Sequence, residues 1–239
     1  MNSGFAEKTM KTLESEGIAC TPVQAEQFAD YFEALIRTNK VMNLTAITDP
    51  DQVIRKHFAD SLLPLKLIPG DIQGRGADVG TGAGFPGIPL AIMCPRTEFV
   101  LMDALKKRLG FIDSVTEVLG LKNCCTVHVR AEDASRNGGN MRESFDFALS
   151  RAVAETACLA ELCLPLIKVG GRMIALKSRS AYEEAEGGEY AFSLLGGKLR
   201  GIFGSEERNL IVVDKVSLTP EKYPRKAGKP EKEPLVKKD

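Results

Sequence analysis

The sequence predicts an α/β fold, a mostly parallel sheet covered by helices on both faces, preceded by a helical stretch. Three observations predict it. From Gly76 onward, short apolar runs alternate with segments of helical periodicity, the pattern of strands joined by crossover helices. The first apolar run leads directly into a Gly-rich loop that opens a helix. The first 65 residues hold helix starts and no strand-like run.

The elements follow in chain order. Thr21-Pro22-Val23-Gln24 is a helix start, with Thr as cap, Pro in the first turn and Gln at the capping-box position. Phe28, Tyr31, Phe32, Leu35 and Ile36 then fall on one face at 3.6-residue spacing. Asp49-Pro50-Asp51-Gln52 repeats the signal and opens a helix with Val53, Ile54, His57, Phe58 and Leu62. Pro64, Pro69 and Gly70 break the chain. Ala77-Asp78-Val79 is the first strand, followed by the Gly-rich loop and a helix with Ile88, Leu90, Ala91 and Ile92. Phe99–Asp103 is the second strand, with a helix to Leu119. Thr126–Val129 is the third. Phe145–Leu149 leads to a helix around Ala157 to Ile167, and Arg172–Lys177 is the fifth strand. An acidic helix near Tyr182 to Tyr190 precedes two extended segments, near Lys198–Phe203 and Asn209–Val216, close enough to pair antiparallel. The predicted organisation is a helical extension over 1–65, an α/β domain over 66–219 and a basic tail over 220–239. Pro224, Pro230 and Pro234 are expected to keep that tail extended.

Composition narrows the function. The 239 residues are 44% hydrophobic and 27% charged, ordinary for a globular protein. Lys+Arg is 32 and Asp+Glu is 32, which excludes a basic field over the whole surface but not a local basic face. From Glu221 onward seven Lys/Arg stand against four Asp/Glu. No apolar run reaches the length of a membrane span, and Met1 to Lys11 has no signal-type core, so a cytoplasmic location is expected. Six cysteines form no CxxC pair and the only histidines are His57 and His128, so zinc spacing is absent and the thiols read as packing residues.

The loop Asp78-Val79-Gly80-Thr81-Gly82-Ala83-Gly84-Phe85-Pro86-Gly87 carries the chemistry. Glycines let a backbone turn at positive φ and approach a ligand. Dinucleotide folds use G-x-G-x-x-G, but here the spacing is G-x-G-x-G with Phe85 third after Gly82, and no P-loop pattern exists. A diphosphate is therefore disfavoured. Asp103 ends the second strand, 23 residues after Gly80, where a carboxylate can accept from both ribose hydroxyls. A helix cap competes with that reading, and the loop at the right distance favours the ribose. Ala131-Glu132-Asp133 follows the third strand, where an adenine ring would lie, with another cap as the competing reading. A ribose carboxylate beside a loop without pyrophosphate spacing suggests S-adenosylmethionine.

The runs Asn43-Leu44-Thr45-Ala46-Ile47-Thr48 and His57-Phe58-Ala59-Asp60-Ser61-Leu62, with Asp78 through Leu90, closely resemble the RsmG (GidB) family of ribosomal small-subunit guanine-N7 methyltransferases. Lys106-Lys107-Arg108, Ala131-Glu132, Ser150-Arg151-Ala152 and Glu207-Arg208-Asn209-Leu210 also match, as does the basic tail Tyr223 to Gly228. The resemblance implies a class I (Rossmann-like) methyltransferase with a seven-stranded sheet. It implies transfer of a methyl group from S-adenosyl-L-methionine to N7 of one guanine of 16S rRNA, guanine 527 in the loop of helix 18, on a 30S subunit or assembly intermediate. By the family pattern Gly80, Phe85, Ala131, Glu132 and Arg151 contact the cofactor, and the loop and strand-end reading adds Gly82 and Asp103. Lys106, Lys107, Arg208, Arg225 and Lys226 are the expected RNA contacts. No residue is expected to act as an obligatory base, because N7 carries no proton, and Arg151 lies near the site as a holder of a cofactor carboxylate or an RNA phosphate. No metal and no membrane are expected. Two other readings stay open: an RNA-binding assembly factor without turnover, and an NAD-dependent oxidoreductase, which the loop spacing disfavours.

Overall fold

The computed structural model describes residues 2–237; Met1 and residues 238–239, at the outer ends of the expected extension and tail, lie outside the described residues. Two helices open the chain, α1 (Asn2–Ser15) and α2 (Pro22–Met42). The capping box forms as read: Thr21 accepts from the Gln24 backbone and the Gln24 side chain accepts from Thr21 N–H. α2 ends at Asn43, which takes the left-handed conformation at φ 48°. The next start gives α3 (Pro50–Val53), capped by Asp49. The expected α-helix does not continue past it. Ile54–Ala59 is a π-helical turn, which carries His57, and α4 (Leu63–Leu67) follows. Single π turns concentrate at functional sites.

The sheet strands are β1 (Arg75–Val79), β2 (Glu98–Asp103), β3 (Cys124–His128), β4 (Phe145–Arg151), β5 (Ile167–Lys177), β6 (Gly197–Gly204) and β7 (Asn209–Lys215). They lie in the order β3-β2-β1-β4-β5-β7-β6. The first five run parallel and β7 runs antiparallel between β5 and β6. The helices are α5 (Gly87–Met93), α6 (Lys106–Val118), α7 (Ala131–Ala134), α8 (Thr156–Cys163), α9 (Ala181–Leu194) and α10 (Lys229–Lys232). The helix expected to reach Ile167 stops at Cys163. Pro165 tightens Leu164–Leu166 into a 3₁₀ turn, and Ile167 already pairs with Phe145 in the sheet.

Two cores result, one on each sheet face. Phe99 and Leu101 point into the core shared with α1, α2, the π turn and α5, while Val100 and Met102 point into the core shared with α8 and α9. Period-two alternation along β2 is the local cause. The N-terminal helices are wedged against the Gly-rich loop by aromatic contacts. Phe28 and Tyr31 pack on Phe58, and Tyr31 packs on Phe85. The buried Tyr31 hydroxyl donates to the Ala83 carbonyl at 2.5 Å, a direct tie from α2 to the loop.

The tail departs from expectation. It is not extended but folds back over α7 and α8. Tyr223 is buried, Arg225 grips Glu161, and the Gly228 N–H donates to Glu132 at 2.8 Å.

Candidate functional site

β1 and β4 adjoin at the centre of the sheet, yet their crossovers leave in opposite directions. Ligands in open α/β sheets bind beyond the strand carboxyl ends at such a reversal. Two recesses lie there, parted by Ala152–Ala154 just after β4. Ala152 lines one, while Val153 and Ala154 line the other.

The first recess, of about 180 Å³, has Gly80, Asp103, Ala131 and Glu132 on its walls. Gly80 and Thr81 both donate backbone N–H groups to Met102 O at 3.0 Å, which bends the loop over the end of β2. Gly80 sits at φ +70°, and a Cβ there would lie 2.6 Å from Val153. A side chain at Gly80 therefore strikes the recess wall before it reaches ligand space. Gly87 is required for a different reason: its Cβ would lie 2.3 Å from Leu101 and 2.7 Å from the Asp78 carboxylate. That carboxylate holds the loop from beneath, accepting from Thr81 Oγ1 at 2.7 Å and Gly87 N–H at 2.9 Å. Burial pushes Asp78 up to about 6, against the pull of those two donors.

Asp103 is buried, and its oxygens accept from Gly82 N–H at 3.1 Å and Leu105 N–H at 2.8 Å. Each carboxylate oxygen accepts two bonds. Arg108 Nη1 also reaches Oδ2, at 3.5 Å, so the position left open is on Oδ1, and a ligand hydroxyl at Oδ2 would compete with that long contact. The competing cap role is partly real, since one of its donors is the residue that precedes α6. Glu132 is partly spoken for by Gly228. The remaining wall is apolar: Val79, Met102, Val129, Val153 and Leu162, joined by Cys158. Burial pushes the Cys158 thiol up to about 11, so it stays a thiol at neutral pH. Gly228 and Glu231 of the tail complete this recess, and no sequence signal marked either of them.

Phe85 and Arg151 do not line the first recess. Phe85 is buried, with its ring 4.6 Å from the stacked His57 ring and 4.9 Å from the Arg151 guanidinium. Arg151 donates to the Lys56 carbonyl at 3.1 Å and has Nη2 3.3 Å from His57 Nδ1. On the other side of the ring, Thr45 Oγ1 lies 2.8 Å from Nε2. Burial, then the Arg151 charge, push His57 down to about 4, so the ring is neutral. A neutral imidazole donates at one nitrogen and accepts at the other, which suits those partners.

The second recess, about 420 Å³, is floored by this cluster and lined by Lys56, Asp60, Arg151, Lys177, Glu184 and Glu207 among others. Glu184 is committed to Lys177, Thr156 and Ser180, and Glu207 to Arg179. Asp60 lies 4.0 Å from Arg151 Nη1 and 3.9 Å from Arg208 Nε, while Arg208 makes its bonds to Glu16 at 2.8 and 3.0 Å.

Of the other expected RNA contacts, Lys106, Lys107 and Lys226 are exposed, whereas Arg225 is tied by both nitrogens to the fully buried Glu161. No group of three or more His, Cys, Asp and Glu suited to a metal occurs among the described residues, and none of their helices is long and apolar enough to cross a membrane.

Comparison with known proteins bears on family and fold. The sequence model of the GidB family, described as rRNA small subunit methyltransferase G, matches residues 24–211. The chain is 44% identical over 233 residues to a Lactobacillus johnsonii protein named ribosomal RNA small subunit methyltransferase G, covering 94% of this chain and 97% of that one. A protein of the same name from Lachnoclostridium phytofermentans is 48% identical over 232 residues, covering 95% and 96%. Among solved structures, a SAM-dependent methyltransferase from Aquifex aeolicus aligns with a TM-score of 0.55 at 14% identity, over 73% of this chain and 97% of that one. A SAM-dependent O-methyltransferase from Thermotoga maritima aligns at 0.50 and 17%, over 78% and 73%. Likeness at those identities speaks for a shared fold.

Proposed function

The chain belongs to the GidB family of rRNA small subunit methyltransferases, and from that premise we propose that it transfers a methyl group from S-adenosyl-L-methionine to N7 of one guanine of 16S rRNA, guanine 527 of the helix 18 loop. The observation that carries the reading is the pair of adjoining recesses at the centre of the sheet. One is walled by Asp103, Gly80 and apolar side chains, and the other is lined by several charged side chains.

The first recess suits the cofactor. Asp103 has an acceptor position left for a ribose hydroxyl, and the apolar walls between Val129, Ala131 and Leu162 suit a flat heteroaromatic ring. Gly80 and Gly82 bring backbone close to the ligand, with Gly82 backed by open space. S-adenosylmethionine supplies there a methyl group on a sulfonium centre. Guanine N7 has an in-plane lone pair and no proton to lose. The protein is therefore asked for alignment and exclusion of water rather than for a base. Arg151, beside the divide between the recesses, is placed to hold a carboxylate or phosphate.

Arg108 reaches the Asp103 carboxylate at 3.5 Å. Lys106 and Lys107 stand on the first turn of α6, where the helix dipole disfavours cations, and no acidic residue shares that turn. Helix stability does not explain them. Phosphate contact does. We assign Lys106, Lys107 and Lys226 to RNA, on a 30S subunit or an assembly intermediate. Arg208 and Arg225 are engaged within the protein.

Nucleoside analysis of 16S rRNA from cells lacking the protein tests the proposal. Loss of one 7-methylguanosine, restored by the gene, is expected. An unchanged modification profile rejects the reaction and leaves the assembly-factor reading. Calorimetry with S-adenosylmethionine and with NAD is expected to show binding of the first alone.

A further inference from the structure

The second recess holds one group whose chemistry is unused. Among the acidic side chains lining it, Glu184 and Glu207 are satisfied by neighbours, but no hydrogen bond from the described residues reaches the Asp60 carboxylate, and its Oδ1 is a buried acceptor without a partner among them. The two guanidinium groups around Asp60 do not supply one. Arg208 is turned to Glu16, and Arg151 to the Lys56 carbonyl and His57, leaving both at 3.9–4.0 Å from the carboxylate. At that range they balance its charge without satisfying its lone pairs. A buried acceptor left unmade costs free energy, and a ligand that completes it recovers that cost. Asp60 is the first residue after the π turn; its backbone N–H donates to the His57 carbonyl, but its carboxylate makes no hydrogen bond among the described residues, so no structural hydrogen bond explains that side chain.

The missing partner is a donor pair that fits one carboxylate. Guanine has one: N1–H and N2–H₂ lie side by side and match a carboxylate's two oxygens. Adenine and cytosine present an unprotonated ring nitrogen on the same edge, and uracil flanks its single N–H with carbonyls, so each sets an acceptor against the carboxylate. On a purine held by that edge, N7 lies across the ring, on the side away from the anchor. Building on the guanine-N7 reading above, we infer that the second recess takes the acceptor base and that Asp60 is the residue that selects guanine, accepting from N1–H and N2–H₂. Its neighbours suit the role. The neutral His57 ring and Arg151 line it, both backed by the buried Phe85 ring. The recess, at about 420 Å³, has room for a base turned out of its RNA loop. Lys56 on its wall carries charge suited to the attached phosphate, whereas Lys177 is held by Glu184 and the Ala154 carbonyl.

The test uses the full-length protein and 30S particles assembled on 16S rRNA that carries either guanosine or inosine at the target position. Inosine keeps N1–H and N7 but lacks the N2 amine. The parent protein is expected to methylate inosine about tenfold to a hundredfold less efficiently in kcat/KM. Asp60→Asn is expected to lose at least tenfold on guanosine and to treat the two bases within about twofold, with S-adenosylmethionine affinity and urea stability near the parent's. Equal use of guanosine and inosine by the parent overturns the assignment without any variant. So does an Asp60→Asn protein that keeps the parent's guanosine preference. Nucleoside analysis of the guanosine product separates the two levels. No 7-methylguanosine from the parent overturns the proposed function and this inference together, whereas 7-methylguanosine with an unchanged base ratio in the variant overturns the Asp60 assignment alone.

Discussion

At Asp103 one carboxylate steadies the loop through Gly82, and the proposed function asks it to accept from the cofactor ribose as well. Asp103→Ala is expected to weaken S-adenosylmethionine binding by roughly 1.5–3 kcal/mol, the size of a lost charge-assisted hydrogen bond. Calorimetry on folded protein checks it, and unchanged affinity rejects the ribose role. His57 gives a pH prediction. The unfolded chain takes up its proton near 6.5 and the folded chain only near 4, so this residue's contribution is complete above pH 6.5 and is lost as pH falls toward 4. Asp78 acts in the opposite sense: folded, it protonates near 6 rather than 3.8, adding stability as pH falls through that window. The parent's own pH profile mixes the two, so the comparison is with His57→Gln. Between pH 7 and 4.5 the parent is expected to lose roughly 2–3 kcal/mol more than the variant, measured by urea unfolding. Parallel profiles reject a buried neutral His57.

The C-terminal strap sets the element scale. Arg225 makes bidentate bonds of 2.6 and 3.0 Å to Glu161, which is fully buried, and its backbone N–H adds another at 2.7 Å. Removing one partner leaves a charge buried alone. Arg225→Ala is expected to cost about 3 kcal/mol in urea unfolding and to weaken cofactor binding, because Gly228 and Glu231 follow it into the recess wall. Lys226→Ala, one residue away and exposed, is expected to alter neither. The strap was not legible in the sequence. Pro224, Pro230 and Pro234 read as an extended tail, and nothing local shows that Arg225 meets a carboxylate 64 positions earlier. What was legible is what local rules govern: the capping box at Thr21, the strand–helix alternation, the glycine loop and Asp103. The π turn at Ile54–Ala59 escaped for the same reason as the strap. Its register depends on Phe58 reaching Phe28 and Tyr31 on another helix, so an ordinary α-helix was the better local answer. Phe85 and Arg151 lie across the divide from the recess that Asp103 lines, a separation that sequence spacing does not encode.

Over the whole molecule the formal charge is zero, so attraction to RNA rests on where cations are concentrated. Lys106 and Lys107 project from the first turn of α6, just beyond the cofactor carboxylate. If each meets one phosphate, the double Ala variant is expected to flatten the plot of log affinity against log salt by about 1.4 for an unpaired target. Cofactor affinity is expected to stay unchanged, as read by calorimetry. An unchanged salt slope removes this face from the RNA interface. The strap also has a meaning in time. Chains leave the ribosome N-terminus first. The glycine loop and Asp103 emerge more than a hundred residues before Arg225, Gly228 and Glu231, which close the nucleoside recess. A nascent chain halted between them carries the loop and the ribose carboxylate but lacks one wall and the guanidinium that neutralises Glu161. On the proposed assignment, competence to hold the cofactor waits on residues made long after the loop, and a chain cut short of Arg225 is left without a complete pocket in which to sequester it.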